Sequence, residues 1–156
     1  MVEAVAQAPK KLTLAPEQRR TVDFCRDVAP ILRDRCAKCH KARQPQIDLG
    51  SEDAIRRGPG AAHDTYLSLL ARDDTGQYKY VQPGRARTSL MIWRVLGRVT
   101  SRPWDHVDTA ENPDLGRMPP PEAEPLTQAQ KRILIEWIDL GAAWDGIPAV
   151  ASDVVQ

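Results

Sequence analysis

The chain has 156 residues, a length that suggests one domain with a buried core. Only 5% of its residues are aromatic and 13 are prolines, which indicates long loops. A small domain with long loops usually needs a staple such as a metal, a disulfide or a large cofactor. With 22 basic and 21 acidic residues the formal net charge is +1, so nothing favours nucleic acid or a membrane surface as a partner. No apolar run is long enough to form a transmembrane segment.

The two ends of the chain have the composition of arms rather than of a folded core. Residues 1–20 are polar, rich in alanine and interrupted by proline, and they lack the apolar segment of a signal peptide. We therefore predict a flexible N-terminal arm over 1–21, one domain over 22–146 and a tail over 147–156.

Every element predicted from the sequence is a helix, because no strand-period run of useful length is present. Pro30 fits the first turn of the first helix, and Ser51 can cap the second. In chain order, the predicted helices cover 28–38, 52–57, a segment from His63 or Asp64 to Leu70, 90–96 and 128–140.

The last two helices carry the clearest patterns. Residues 90–96, capped by Thr88 or Ser89, are apolar all round except at Arg94, so this helix is expected to be buried or covered by a cofactor. The last helix opens with the capping-box pattern of Thr127 and Gln130. Between the two, 98–125 has no periodicity, which is typical of a functional or disordered loop.

The motif Cys36-x-x-Cys39-His40 has the spacing of covalent haem attachment. One turn of backbone sets the two thiols at the two haem vinyl groups, and the adjacent histidine then lies under the iron. Covalent attachment holds haem c even in a shallow pocket, which suits a chain rich in loops. Half of a zinc site and a thioredoxin-like dithiol are the alternatives, but the first lacks a second Cys pair and the second lacks a βαβ pattern.

Met118 is the predicted sixth ligand of the iron. It lies in a run with Pro119, Pro120 and Pro121 that cannot be helical, and we expect an extended, stiff backbone that holds the thioether in place. A methionine in a polar loop also lacks a core-packing explanation, whereas Met91 in an apolar helix is more typical of a gap filler. The other candidate ligands are Met1, Met91, His63, His106 and Cys25.

Ligation by histidine and methionine favours Fe(II) and fills both axial positions, so outer-sphere electron transfer is the predicted function. We therefore predict an electron-transfer protein rather than an enzyme, acting as a soluble carrier or as a subunit of an oxidoreductase complex. The alternatives are a haem enzyme or gas and redox sensor with a displaceable methionine, and a structural module stapled by haem.

Four sequence elements together resemble the planctomycete-type cytochrome c domain. They cover most of residues 22–145 in the same order, and they are specific in combination and weak singly. The elements are 22–32 followed by the Cys36–His40 motif, Gln82-Pro83-Gly84 leading to Ser89-Leu90-Met91-Ile92, Arg117-Met118-Pro119-Pro120, and Leu126-Thr127 through Trp137-Ile138-Asp139-Leu140-Gly141-Ala142.

The resemblance implies an all-α cytochrome c fold, with about four to five helices and long loops around one covalent haem c. The first and last helices would cross, with Phe24 or Ile31 against Trp137. It also implies that His40 and Met118 hold the iron and that the Pro59 carbonyl accepts from the His40 ring. Family members occur beside dehydrogenases or in respiratory complexes, which implies a redox protein partner and a periplasmic or extracellular location.

Several residues depart from the family or have roles set by position alone. Cys25 stands where a small or polar residue is usual, and we expect it to be buried, with a disulfide between chains as the alternative. Segments 61–80 and 98–116 are insertions, where docking or assembly is expected. The residues proposed for the haem pocket wall, with core packing as the alternative, are Tyr80, Leu90 and Trp93, and those proposed for the propionates are Arg57 and Arg85.

Overall fold

The computed structural model describes residues 21–40, 47, 49, 64–105 and 115–144. Several predictions fall outside these ranges: the N-terminal arm, the C-terminal tail, the helix over 52–57, and the roles of Met1, Arg57, Pro59, His63 and His106.

The regular elements of the described ranges are helices. A π-helical turn, Phe24–Val28, continues into α1, Ala29–Arg35; α2 is Asp64–Leu69, α3 is Leu90–Leu96 and α4 is Gln128–Asp139. Two short 3₁₀ turns, Ala86–Thr88 and Pro103–Asp105, precede and follow α3. The extended pairing in these ranges is a single antiparallel bridge between Arg72 and Tyr78. No helix in the described part has the length and apolar content that crossing a bilayer requires.

The first helix begins earlier and ends earlier than the predicted 28–38. Its start is set by Asp23, whose carboxylate accepts from the Arg26 amide at 2.8 Å, which is a typical N-cap. The Ala29 amide then donates to the Phe24 carbonyl five residues back, so the first turn is wide. A wide turn accommodates Pro30, which has no amide hydrogen and whose ring would collide with the preceding turn of a regular α-helix.

An aromatic cluster joins the beginning of the described domain to its end. The Phe24 ring lies 5.6 Å from Trp137 and 5.4 Å from Trp144, and Tyr66 of α2 lies 5.1 Å from Trp144. The Phe24 amide also donates to the carbonyls of Ala143 and Trp144 at 3.0 and 3.1 Å. The expected contact of the first helix with Trp137 is therefore present, made by Phe24 in its first turn.

Helix α3 packs against α4 and is held there by the segment that precedes it. The Gly84 amide donates to the Ile138 carbonyl at 2.7 Å, and the Ala86 amide donates to the Asp139 carboxylate at 2.8 Å. The capping box of Thr127 with Gln130 is confirmed at the start of α4.

The predicted side-chain cap of α3 is wrong. Ser89 stands at the N-cap position, but its hydroxyl accepts from the Gln82 amide and donates to the Arg85 carbonyl, both at 2.9 Å. The buried hydroxyl therefore ties down the preceding loop instead of the first turn of the helix. Gly97, with φ +65°, ends α3 after Leu96, where the predicted helix over 90–96 also ends.

We expect Trp137→Ala to lower the free energy of unfolding by about 3–5 kcal/mol, because this fully buried ring is at the centre of the aromatic cluster. Leu140→Ala is the matched control, since Leu140 is 61% exposed and its truncation should change the value by less than about 0.5 kcal/mol. Chemical denaturation followed by circular dichroism measures both. Equal losses in the two variants would contradict the core described here.

Candidate functional site

The Cys motif forms a hydrogen-bonded turn directly after α1. The amides of Cys36 and Ala37 donate to the Leu32 carbonyl at 2.8 and 2.9 Å, which closes the end of the helix. The amides of Cys39 and His40 both donate to the Cys36 carbonyl, at 3.1 and 3.0 Å. The two cysteines and the histidine are therefore held in one turn, as the motif requires.

The two thiols of this turn have different surroundings. Cys36 is half-buried and packs against the core, whereas Cys39 is exposed. Burial raises the pKa of the Cys36 thiol to about 11, and the neighbouring Cys39 adds to the shift. The Cys36 side chain is therefore a neutral thiol at physiological pH, placed at the edge of the apolar core.

His40 carries a polar atom that calls for a partner. Its side chain is half-buried, and the ring Nδ1 is buried with no hydrogen-bond partner among the described residues. The backbone carbonyl of His40 accepts from the Leu49 amide at 2.8 Å, so the backbone at His40 is also held in place. Buried polar atoms are nearly always paired. The carbonyl predicted to accept from this ring, that of Pro59, lies outside the described residues.

Met118 lies in a loop that is anchored to the end of α3. Its side chain is half-buried, its amide donates to the Arg94 carbonyl at 2.9 Å, and the Met118–Pro119 peptide is cis. The predicted extended backbone is wrong, because the chain bends at Met118 and Pro119 and turns again over 121–123. Met91, the alternative, lies in α3 partly buried against the core, as a gap filler would.

An ion pair joins the two segments that carry the predicted ligands. Arg35, which immediately precedes Cys36, pairs with Glu124, six residues after Met118. The pairing lowers the pKa of the Glu124 carboxyl, because the Arg35 guanidinium donates to it. The Glu124 side chain is largely exposed, so the pair indicates which segments are neighbours more than it stabilises the fold.

The three residues predicted for the pocket wall have different environments. Trp93 is 3% exposed, and its indole Nε1 donates to the Arg87 carbonyl at 2.8 Å, which accounts for it as a buried residue in its own right. Tyr80 is partly buried against the core, and its carbonyl accepts from the Met91 amide at 3.0 Å. Leu90 is half-buried at the start of α3.

Cys25 is exposed, so the expectation that it is buried is wrong. It lies on the outer side of the π-helical turn, between the buried Phe24 and the exposed Arg26. Its amide donates to the Trp144 carbonyl at 3.3 Å, which fixes the backbone while leaving the thiol at the surface.

The loop after α3 contains a structured site that the sequence did not predict. Asp105 accepts from the Arg87 guanidinium and, at 2.6 Å, from the Arg102 amide, which pins the Pro103–Asp105 turn. This turn presents the 67% exposed Trp104 beside a cleft of about 530 Å³. The other lining residues of the cleft are Gly84, Arg85, Arg87, Thr88, Asp105 and Asp139. Pro103, which favours a first turn, is the one sequence signal for it.

No three His, Cys, Asp or Glu side chains of the described part lie together in a way that would hold a metal ion. Iron bound in this part would therefore have the predicted histidine and methionine as its protein ligands, and the nitrogens of the porphyrin would be its other ligands.

The comparisons with known proteins point to one region of a larger protein. No family model matches the chain. The chain is 37% identical over 150 residues to hydrazine synthase subunit alpha of Kuenenia stuttgartiensis, a match that covers 92% of this chain and 18% of that subunit. The solved structure of Kuenenia stuttgartiensis hydrazine synthase matches with a TM-score of 0.66 at 36% identity, over 85% of this chain and 17% of the other. The chain is thus homologous to a region of that subunit and spans less than a fifth of its length.

In chain prepared without haem, we expect iodoacetamide to modify Cys36 with a midpoint near pH 11, because only the thiolate reacts. Unfolding in urea should return the midpoint to the ordinary value of about 9.0. Since the folded state keeps this proton longer, the haem-free fold should also lose stability as the pH rises from 9.0 towards 11. Trypsin cleaves after Arg35 and Lys38, so mass spectrometry reads the two thiols on separate peptides. The same midpoint in folded and unfolded chain would refute the burial of Cys36.

We expect Asp105→Asn to speed amide hydrogen exchange over 102–105 by about threefold to tenfold. The substitution removes the negative charge of the carboxylate that pairs with the Arg87 guanidinium. The Arg87 guanidinium lowers the pKa of Asp105, so the turn should be most stable above the ordinary aspartate range and should loosen as the pH falls through the lowered pKa. Asp74→Asn, at an exposed aspartate, is the control. Unchanged exchange at 102–105 would show that the pair does not hold the turn.

Proposed function

We propose that this chain is a monohaem c-type cytochrome domain of the planctomycete type that transfers single electrons. Haem c is attached through Cys36 and Cys39, and the iron is held by His40 and Met118. The observation that carries the proposal is the buried Nδ1 of His40, which has no partner among the described residues and lies in the same turn as the two thiols. Because a ligating histidine almost always donates its other ring N–H to a partner, this Nδ1 supports ligation through Nε2, with the Pro59 carbonyl as the proposed partner.

The residues of the Cys turn suit haem attachment. Cys36 at the edge of the core and the exposed Cys39 offer one thiol on each side of the turn, and thioether formation consumes both. Burial keeps Cys36 protonated, so it is protected from adventitious oxidation or metal binding before attachment. Cys36 packs against the hydrophobic core, so a haem attached there would lie at the edge of that core.

Met118 suits the role of the second protein ligand that would hold the iron. Its loop is tied to α3 through the Arg94 carbonyl and to the segment before Cys36 through the pair of Glu124 with Arg35. When bound, haem c would supply a one-electron couple, which a thioether ligand shifts towards a higher reduction potential. The chain's own part would be to hold the half-buried His40 and Met118 as the two protein ligands of the iron.

A larger redox complex is the setting that we propose for this domain. The chain matches a region of a protein named as one subunit of an enzyme, which favours an electron-carrying module within an assembly over an isolated carrier. A redox protein partner and a periplasmic location follow from the same proposal. That the relative is named as a synthase also favours a second candidate, a haem enzyme or gas and redox sensor in which Met118 is displaced.

Haem attachment should be visible in the pyridine haemochrome spectrum of chain matured with a haem c assembly system. We expect haem c that resists acid acetone extraction in the wild type, and its loss from the Cys36→Ser, Cys39→Ser double variant, because both thioethers are then absent. Cys25→Ser is the matched control and should keep its haem. A wild-type chain that yields no haem c would overturn the proposed function.

The sixth ligand should be visible as the weak band that methionine–iron bonding gives at the red end of the ferric spectrum. Met118→Ala should lose this band while keeping its haem, and Met91→Leu should keep it, because Met91 belongs to the core. Persistence of the band in Met118→Ala would mean that another residue is the ligand. Carbon monoxide binding to the reduced wild type would favour the enzyme or sensor over the electron carrier.

A further inference from the structure

One residue of α3 holds the loop of Met118 at two points. The Arg94 guanidinium donates through Nη1 to the Leu115 carbonyl at 2.8 Å. The Arg94 carbonyl accepts from the Met118 amide at 2.9 Å. The two bonds fall three residues apart on the loop, so both ends of the stretch 115–118 are fixed to a single residue.

The bond to Met118 exists because α3 ends where it does. The last carbonyls of a helix have no partner within the helix. Gly97 takes the left-handed conformation and turns the chain away, and its amide reaches the Arg94 carbonyl at a longer 3.2 Å. The second lone pair of that carbonyl is left for Met118. The end of α3 therefore fixes the position of the Met118 backbone.

The loop also lies against the end of α3 at this point. A Cβ on Gly97 would lie 3.4 Å from Cβ and Cγ of Arg117, so the loop crosses directly over the end of the helix. A Cβ on Gly116, whose φ is +34°, would lie 3.6 Å from Nη1 of Arg94. The guanidinium thus lies along the backbone of the loop. Arg94 is half-buried, which strengthens its bond to the Leu115 carbonyl relative to one in water.

We infer that Arg94 is the positioning residue for Met118, and that its side chain holds the methionine-bound state of the haem against competing ligands. This inference rests on the proposed function. The backbone bond attaches the loop to α3 at Met118, and the guanidinium adds an attachment at Leu115. Loss of the side chain would remove the attachment at Leu115 and loosen 115–118, so the thioether would leave the iron more readily.

The test is a titration of the ferric holoprotein with imidazole, an external ligand that competes with methionine, followed by loss of the methionine–iron band. Arg94→Leu should lower the imidazole concentration for half displacement by about tenfold, since a hydrogen bond from a charged group to a half-buried carbonyl is lost. Arg94→Lys retains a cation and a donor and should recover part of the difference. Arg98→Leu, which removes the same charge from an exposed arginine just beyond the end of α3, should stay within about twofold of the wild type.

The outcomes separate this inference from the proposed function. A wild type without haem c or without the methionine band overturns both. A wild type with the band, together with an Arg94→Leu half-displacement value within about twofold of it, overturns the positioning role alone. If Arg98→Leu lowers the imidazole concentration for half displacement as much as Arg94→Leu does, the effect is due to loss of positive charge. That result would also overturn the positioning role of Arg94. Should Arg94→Leu fail to fold by circular dichroism, Arg94→Ala takes its place, and a half-displacement value within about twofold of the wild type would overturn the role, since alanine cannot donate to the Leu115 carbonyl.

Discussion

The clasp between Phe24 and the C-terminal segment is the interaction on which the rest of the described structure depends. The Phe24 amide bonds to Ala143 and Trp144, while its ring packs on Trp137 and Trp144. Because a π-helical turn and α1 follow Phe24 without interruption, the clasp also sets the direction of α1. The turn that carries Cys36 and His40 begins where α1 ends. The contact of Phe24 therefore sets the position of the proposed haem site, which lies about three helical turns further along the chain.

The two sides of the proposed site are held by different means. The Cys36 side is part of the core and, with haem attached, would be covalently tied. The Met118 side is held by hydrogen bonds to Arg94 and by an ion pair through Glu124. Covalent and non-covalent attachment differ greatly in strength, so variation in the function of such a domain is expected on the methionine side. This is where a carrier with a fixed ligand and a sensor with a displaceable one would diverge.

Sequence reasoning succeeded where a local pattern decides the structure. The capping box of Thr127 is formed by residues three apart, and Gly97 ends α3 because a left-handed residue is needed there. It failed where contacts outside the helix decide. The first helix begins at Phe24, which bonds to Ala143 and Trp144, and Ser89 bonds to the preceding loop at Gln82 and Arg85 instead of capping α3.

The candidate site follows the same division between local and distant causes. The turn of Cys36, Cys39 and His40 is local, and it was predictable from five residues. The anchoring of Met118 by Arg94 joins positions more than 20 residues apart, and it follows from how α3 meets the loop, which no periodicity encodes. The exposure of Cys25 was not predicted, because its neighbour Phe24 suggested a buried segment. Successive residues of a helix point in different directions, so Phe24 can be buried while Cys25 is exposed.

The clasp also explains how such a domain can belong to a longer protein. Phe24 and Trp144, near the two ends of the described range, lie within hydrogen-bonding distance of each other. A domain whose ends are adjacent can be accommodated in another chain without disturbing its own core. The match to 18% of a hydrazine synthase subunit agrees with this, because a homologous region lies within a protein several times its length. The contact that directs α1 towards the proposed haem site is therefore also the one that brings the two ends of the described range together.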